Sequence, residues 1–146
     1  MSHRNKQHGS VLAGISLMSA VTCLAAPPSP GHPIVGTWQV HGPGTDCIES
    51  WYFGPDGTTH NQSGDEDSYS EYSISDKPTA EGYYILIDTI VQTNGGTDCS
   101  GQPGAPIGDI ATIYLVPIAE NRLKLCFDRK LTMCPGLMVR VPGHAS

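Results

Sequence analysis

The sequence predicts an all-β protein, a single small up-and-down antiparallel barrel of about eight strands with two disulfides. The chain contains 17 Gly and 12 Pro, which interrupt it too often for an amphipathic helix of ordinary length. Short runs rich in Val, Ile, Thr, Tyr and Trp lie between these breaks at regular spacing, as in sandwiches and barrels. An even number of cysteines follows a leader that is typical of exported proteins.

The first 25 residues have the pattern of a secretory signal peptide. Arg4 and Lys6 form a positive start, residues 11–24 are apolar or small, and Ala25 and Ala26 precede three prolines. Cleavage is expected after Ala25. Cys23 is assigned to the signal peptide, because residues 20–22 lack the Leu and the very small residue that precede a lipidated cysteine. The apolar run is shorter than the roughly 20 residues that a membrane span needs.

Cleavage there leaves 121 residues, which is enough for one domain. We expect a Pro-rich linker over residues 26–33 and one β-barrel domain over residues 34–146. This portion keeps six basic and all 14 acidic residues, a formal charge of −8. Nucleic-acid binding is not expected, because it requires clustered Lys and Arg. Association with an anionic membrane surface is disfavoured for the same reason.

Eight strands are predicted between the turn signals, and no internal repeat is visible. Tight turns are expected at residues 55–57 and 120–121. Short connections favour antiparallel neighbours, which gives an up-and-down meander closing into a barrel. The predicted strands cover residues 34–40, 47–53, 58–62, 68–75, 82–93, 110–118, 122–128 and 137–141.

Four cysteines remain after cleavage, namely Cys47, Cys99, Cys126 and Cys134. They are too widely spaced for a typical zinc site, so two disulfides are expected, with three possible pairings. The up-and-down order places the loops at residues 41–46, 63–67, 94–109 and 129–136 at one end of the barrel, and all four cysteines near them. A Cys126–Cys134 bond would bridge the last hairpin, and a Cys47–Cys99 bond would tie the second strand to the long loop.

Alternation along the strands predicts which side chains point inward. In the fifth strand Asp88 is expected to face water, and this choice fixes the face of the whole strand. The predicted inward residues are Tyr83, Ile85, Ile87 and Val91 in the fifth strand, Leu123, Leu125 and Phe127 in the seventh, and Leu137, Val139 and Val141 in the eighth.

The same assignment leaves apolar side chains outside on the fifth and sixth strands. An exposed apolar patch of this kind would mark a surface for a protein partner or a second copy. The alternatives are an inverted face in one strand or a patch that the tail covers. The predicted patch consists of Leu86, Ile90, Ile113 and Leu115 beside Ala111.

The end that carries the cysteines is also acidic, with Asp46, residues 65–67, Asp98 and Asp109. No loop has the ligand alternation of a calcium site, so we expect no bound metal and a solvated rim that could steer a cationic ligand or a basic partner. Glu49 points inward if Trp51 does; a surface position is favoured, because a buried unpaired charge is costly.

Two short motifs carry a resemblance to a known family. Residues 34–38 read Ile-Val-Gly-Thr-Trp, and residues 53–58 read Phe-Gly-Pro-Asp-Gly-Thr. Together they resemble the start of the bacterial lipocalin-like domains, which are small exported barrels. The resemblance implies that Trp38 closes one end of the barrel, with Arg122 or Arg140 stacked on it. The second lipocalin motif, Thr-Asp followed by Tyr, is missing, and no C-terminal helix is evident.

The opening also resembles, more weakly, the periplasmic inhibitors of metalloproteases, in which an extended N-terminal tail enters the protease. Residues 26–33 could serve as such an arm or as a linker, and the composition favours a linker. No motif of a nucleophile elbow, phosphate loop or zinc protease is present, so neither an enzyme nor a cofactor is expected.

The predicted barrel is compatible with two functions. The first is the binding of a small apolar or amphipathic ligand in a cavity lined by Trp38, Tyr69 or Tyr72, Tyr83 and Phe127. The second is contact with a protein partner through the predicted patch.

Overall fold

The protein is an eight-stranded closed antiparallel barrel with two disulfides, as the sequence predicts. The structure is a computed structural model that describes residues 26–143. Each strand pairs with the next, and the last pairs with the first. No helix in this range is long and apolar enough to cross a membrane. The strands are β1 (Gly36–His41), β2 (Ile48–Phe53), β3 (Thr58–Ser63), β4 (Glu66–Ile74), β5 (Tyr84–Thr93), β6 (Ile110–Ala119), β7 (Arg122–Cys126) and β8 (Gly136–Arg140).

The turn between β3 and β4 is shorter than predicted. Gly64 and Asp65 alone connect the strands, and Ser63 pairs directly with Glu66. Gly64 has a φ of 59°, the left-handed conformation that such two-residue hairpins require. Glu66 and Asp67, expected in an acidic loop, therefore belong to β4. The acidic run of residues 65–67 suggests a loop, whereas the pair Gly64-Asp65 is the signal of a two-residue hairpin.

The two ends of the barrel differ in their connections. At one end, here called the mouth, lie the loops of residues 42–47, 64–65, 94–109 and 127–135; the other is called the closed end. All four cysteines lie at the mouth, as predicted. They pair as Cys47–Cys99 and Cys126–Cys134, which selects one of the three pairings that the sequence leaves open.

The predicted face of β5 is wrong. Leu86 and Ile90 are buried inside the barrel, whereas Ile87 and Val91 are each 44% exposed on the outside. The error comes from Asp88, which points inward and is buried rather than facing water. A barrel interior can include a carboxylate when hydroxyl groups lie beside it. Here the hydroxyl groups of Thr59 and Ser70 lie beside Asp88.

Two further assignments change with it. Ile113 and Leu115 on β6 are buried in the core, so the predicted exposed patch of Leu86, Ile90, Ile113 and Leu115 does not exist. On β8 the fully buried residue is Met138, and its neighbours Leu137 and Val139 are only half-buried. The alternation on β8 is therefore the reverse of the prediction.

The closed half of the barrel holds the main apolar core. Its largest members come from inward positions of most strands, and burying each of them contributes about 1.5–3 kcal/mol. Phe53 and Tyr72 meet edge to face with their ring centroids 5.2 Å apart, and the Tyr72 hydroxyl donates to the Gly54 carbonyl. The core cluster includes Trp38, Phe53, Tyr72, Leu86, Ile113, Leu115, Leu125 and Met138.

Trp38 is buried near the closed end, and Arg140 covers its ring. The indole Nε1 donates to the Ile34 carbonyl at 2.8 Å, and the Arg140 guanidinium lies 4.3 Å from the ring centroid. Arg140 also donates to the carbonyls of Pro33 and Val35. Of the two arginines that the resemblance implies beside this indole, Arg140 is the one that stacks on it. Its hydrogen bonds also connect the segment before β1 to β8.

Part of the expected linker packs against the closed end. Pro28 and His32 are buried. His32 Nε2 lies 3.1 Å from the Ser75 carbonyl and Nδ1 accepts from the Ile34 amide, so the neutral Nε2–H tautomer satisfies both bonds. A Cβ at Gly57, where φ is 84°, would lie 3.2 Å from Pro27. This segment therefore rests on the barrel in the described structure instead of extending from it.

Candidate functional site

The inward face of β2 leads from the core to the mouth. Glu49, Trp51 and Phe53 alternate with the exposed Ile48 and Tyr52. Phe53 belongs to the core, and Trp51 packs against that core while remaining half-buried. The prediction of a surface position for Glu49 is therefore wrong. Its carboxylate stays half-buried at the mouth, which avoids the full cost of burying a charge.

A cavity of about 720 Å³ opens at the mouth above these residues. Its size falls in the range that small-molecule sites occupy. Val40, Trp51, Leu125 and Phe127 supply apolar walls, and Glu49 supplies a carboxylate within them. The loop of residues 42–47 forms one side, and the Cys47–Cys99 disulfide borders the opening.

The long loop of residues 94–109 is fixed over the β3–β4 hairpin. Besides the disulfide, the Cys99 amide donates to Ser63 Oγ at 3.0 Å, and the Asp65 amide donates to the Thr97 carbonyl at 2.8 Å. The loop backbone approaches the hairpin so closely that a Cβ at Gly96 would overlap the Asp65 carbonyl. These contacts give the cavity a firm rim on this side.

Two carboxylates line the cavity, and a third lies close to them. Glu49 and Asp98 line the cavity, and Glu66 lies at the mouth end of β4, on its inward side. Burial raises the pKa of Glu66 above its ordinary value, and the charges of Asp98 and Glu49 raise it further. The residues that line this cavity in the described range include no Lys, Arg or His. The opening therefore has a negative potential.

Asp98 differs from Glu49 because its carboxylate is hydrogen-bonded to residues of its own loop. Its Oδ1 accepts hydrogen bonds from the Ser100 amide, the Ser100 hydroxyl and the Gln102 amide. Slight burial raises the pKa of Asp98, but these hydrogen bonds outweigh it and hold the pKa below its ordinary value. Asp98 therefore shapes the loop and adds negative charge to the rim.

Polar groups continue inside the barrel along β3, β4 and β5. Thr59 Oγ1 lies 3.4 Å from Asp88 Oδ1. Desolvation raises the pKa of Asp88, and the nearby hydroxyl groups of Ser70 and Thr59 offset only part of this effect. Asn61 Oδ1 is buried and has no hydrogen-bond partner within the described residues. Polar groups thus share the interior faces of these three strands with apolar core residues such as Tyr72 and Leu86.

The residues predicted to line a cavity do not come together. Trp38 and Tyr72 are core residues, and Tyr69 is exposed on the outside, stacked on His60. Tyr83 is buried, but on the outer face of the barrel, where its ring lies edge to face with the ring of Tyr114. Phe127 alone lines the mouth cavity, and it is 43% exposed.

Trp51 is the main site residue that the sequence prediction omits. The sequence signal for Trp51 is its alternation with Glu49 and Phe53, since every second residue of β2 points inward. The contribution of the loop of residues 42–47 could not be predicted, because it depends on how that loop folds over the mouth.

A second cavity of about 270 Å³ lies at the closed end, between His32, Trp38, Arg122 and Arg140. It is smaller, and the Arg140 guanidinium beside it is already bound to the Val35 carbonyl. Within residues 26–143, no three His, Cys, Asp or Glu side chains are grouped closely enough to hold a metal ion. The mouth cavity is therefore the better candidate site.

Comparisons of the chain with protein-family models, with curated proteins and with solved structures gave no match.

Proposed function

We propose that this protein is an exported, lipocalin-like binding protein that takes a small amphipathic ligand into the mouth cavity. The observation that carries the proposal is the cavity of about 720 Å³, whose apolar walls meet polar groups at one side. Ligand sites commonly combine mostly apolar walls with a few placed polar groups. Nothing in this site requires a catalytic role.

Export is the second part of the proposal. Its support is the leader pattern of residues 1–25, which lie outside the described residues, and the two disulfides. Disulfides persist in the periplasm and outside the cell, whereas the cytosol keeps most thiols reduced. We therefore propose that the folded protein lies in the periplasm or is secreted.

The binding of Nile red, an uncharged dye whose fluorescence rises in apolar surroundings, tests the ligand site. We expect Phe127→Ser to raise the Kd of the dye about tenfold, because about 1.4 kcal/mol of apolar contact is lost. Tyr69→Ser is the matched control, since Tyr69 is an aromatic residue of similar exposure, 40% against 43%, on the outer face. Equal effects of the two substitutions, or no binding by the wild type, would contradict the proposal.

Native mass spectrometry of protein purified from the periplasm provides a second test. A bound small molecule that Phe127→Ser releases would support the mouth cavity as the site. A mass that corresponds to the bare monomer from every preparation would count against a tightly held natural ligand.

A second candidate function is contact with a protein. The observation that favours it is an apolar surface on the outside of β5 and β6, where Ile87, Val91 and Ile110 are all exposed. Sedimentation equilibrium of the wild type and of Ile110→Glu tests it. Association that the substitution abolishes would support this candidate, and a monomeric wild type at high micromolar concentration would count against association with a second copy.

A further inference from the structure

The mouth cavity has charged groups of one sign only among the described residues that line it. Glu49 and Asp98 carry negative charge there, and Glu66 is close enough for both to raise its pKa. In the absence of a positive partner these carboxylates repel one another. A ligand with a positive charge would relieve that repulsion, whereas an anionic ligand would add to it.

Glu49 is the carboxylate that is free to bind a ligand. Its Oε2 accepts a hydrogen bond from Trp51 Nε1 at 2.8 Å, and within the described residues no other hydrogen bond to this carboxylate is present. The indole therefore holds the carboxylate in one orientation beside the cavity, so less conformational freedom is lost on binding. Trp51 and Phe127 add aromatic rings to the lining of the cavity, and the faces of aromatic rings attract cations.

Asn61 provides an independent observation. It lies on the inward side of β3, directly across from Trp51 in the pairing of β2 and β3. Its Oδ1 is buried without a hydrogen-bond partner in the described chain, and such an unsatisfied acceptor costs about 1–3 kcal/mol. The Asn61 oxygen lacks a hydrogen-bond donor, although Asn61 itself is not among the residues that line the cavity. An ammonium group has three donors and no acceptor.

We propose that the ligand of the mouth cavity is an amphipathic amine, whose ammonium group pairs with Glu49 and whose apolar part contacts Trp51, Leu125 and Phe127. This inference rests on the proposed function and adds the chemical class of the ligand. The apolar walls select an organic cation over a bare metal ion, because a metal ion would gain nothing from them.

Three compounds with the same eight-carbon chain test the proposal by displacement of Nile red at pH 7 and low salt. They are octylammonium, octanol and octanoate, which differ in head-group charge. We expect octylammonium to bind at least tenfold more tightly than octanol, and octanoate to bind most weakly, because charge-assisted hydrogen bonds exceed neutral ones. The preference for octylammonium should shrink as sodium chloride is added.

Glu49→Gln removes the charge and keeps the shape of the side chain and a carbonyl acceptor for Trp51. We expect it to bring octylammonium within about twofold of octanol, with octanol itself unchanged. Glu71→Gln is the matched control, because Glu71 is exposed on the outer side of β4 and carries the same charge. It should retain the wild-type preference.

Equal affinities of the wild type for octylammonium and octanol would overturn the amine proposal and leave the proposed function standing. Absence of Nile red binding would overturn both. A lysine-rich peptide that displaced the dye at lower concentration than octylammonium would also overturn it, in favour of a basic protein segment. If Glu49→Gln does not fold, the wild-type series and its salt dependence still decide the question.

Discussion

The closed half and the mouth half of the barrel use the same eight strands but differ in how their interiors are filled. Near the closed end, Trp38, Phe53 and Tyr72 are buried in one apolar cluster. At the mouth, Trp51 and Glu49 point inward at equivalent alternating positions and yet border a cavity of about 720 Å³. The difference shows that strand alternation sets only the direction of a side chain. Whether an inward side chain is packed in the core or borders a cavity depends on the loops that lie above it.

The largest expected effect comes from the two tryptophans. Trp38→Ala should lower the free energy of unfolding by about 3–5 kcal/mol, because it leaves a cavity in the core and removes the ring that Arg140 covers. Trp51→Ala should cost about 1 kcal/mol, since that side chain is only half-buried. Urea denaturation measures both values. Similar losses for the two variants would mean that the mouth carries as much of the stability as the core.

The two disulfides should also differ. In the chain-entropy model, Cys47→Ser with Cys99→Ser costs about 4 kcal/mol, and Cys126→Ser with Cys134→Ser costs about 2.5 kcal/mol. Their sequence separations of 52 and 8 residues set these values. Only the first pair borders the cavity, so only its loss should weaken Nile red binding in protein that remains folded. Equal losses of binding would show that the Cys47–Cys99 bond does not shape the site.

Two neighbouring residues of β5 sharpen the contrast between inside and outside. Leu86→Ala should destabilise the protein by about 2–5 kcal/mol, because Leu86 is fully buried in the core. Ile87→Ala should cost less than about 1 kcal/mol, because Ile87 points outward and is partly exposed. Thermal unfolding of the two variants checks the assignment, and the reverse order would restore the face that the sequence predicts.

The smallest expected effect concerns Asp88. Desolvation raises its pKa in the folded state above the usual 3.8, so its contribution to stability is most favourable below pH 3.8 and is lost as the pH rises through the folded-state pKa. Asp88→Asn does not titrate. Its Tm should exceed that of the wild type at pH 7 by on the order of a few degrees, with the gain disappearing in acid.

The control for this pH dependence is Asp76→Asn, which removes an exposed carboxylate. Its Tm should follow that of the wild type over the same pH range. A constant difference between Asp88→Asn and the wild type at every pH would contradict the stated role of desolvation.

Much of the fold could be predicted because its signals are local. Gly and Pro between short β-branched runs marked the strands, and the up-and-down order then brought Cys47, Cys99, Cys126 and Cys134 to one end. The pairing of Trp38 with Arg140 rather than Arg122 required the register of β1 with β8. That register is a long-range property, set when the barrel closes.

The candidate site was harder to predict, and Asp88 explains why. The expectation that this single carboxylate faces water inverts the whole of β5, because side chains alternate with a period of two. The interior accepts Asp88 because Thr59 and Ser70, contributed by two other strands, supply hydroxyl groups. The expected surface position of Glu49 is wrong for the same reason. Its partner Trp51 stands two residues along the chain, but the opening beside it depends on distant loops.

The bond between Cys47 and Cys99 makes the shape of the cavity rim depend on redox conditions. Because that bond is part of the rim, a chain in which both thiols are reduced would lack the covalent link between the loop of residues 42–47 and the long loop. The rim would then be completed only after the two sulfurs are oxidised.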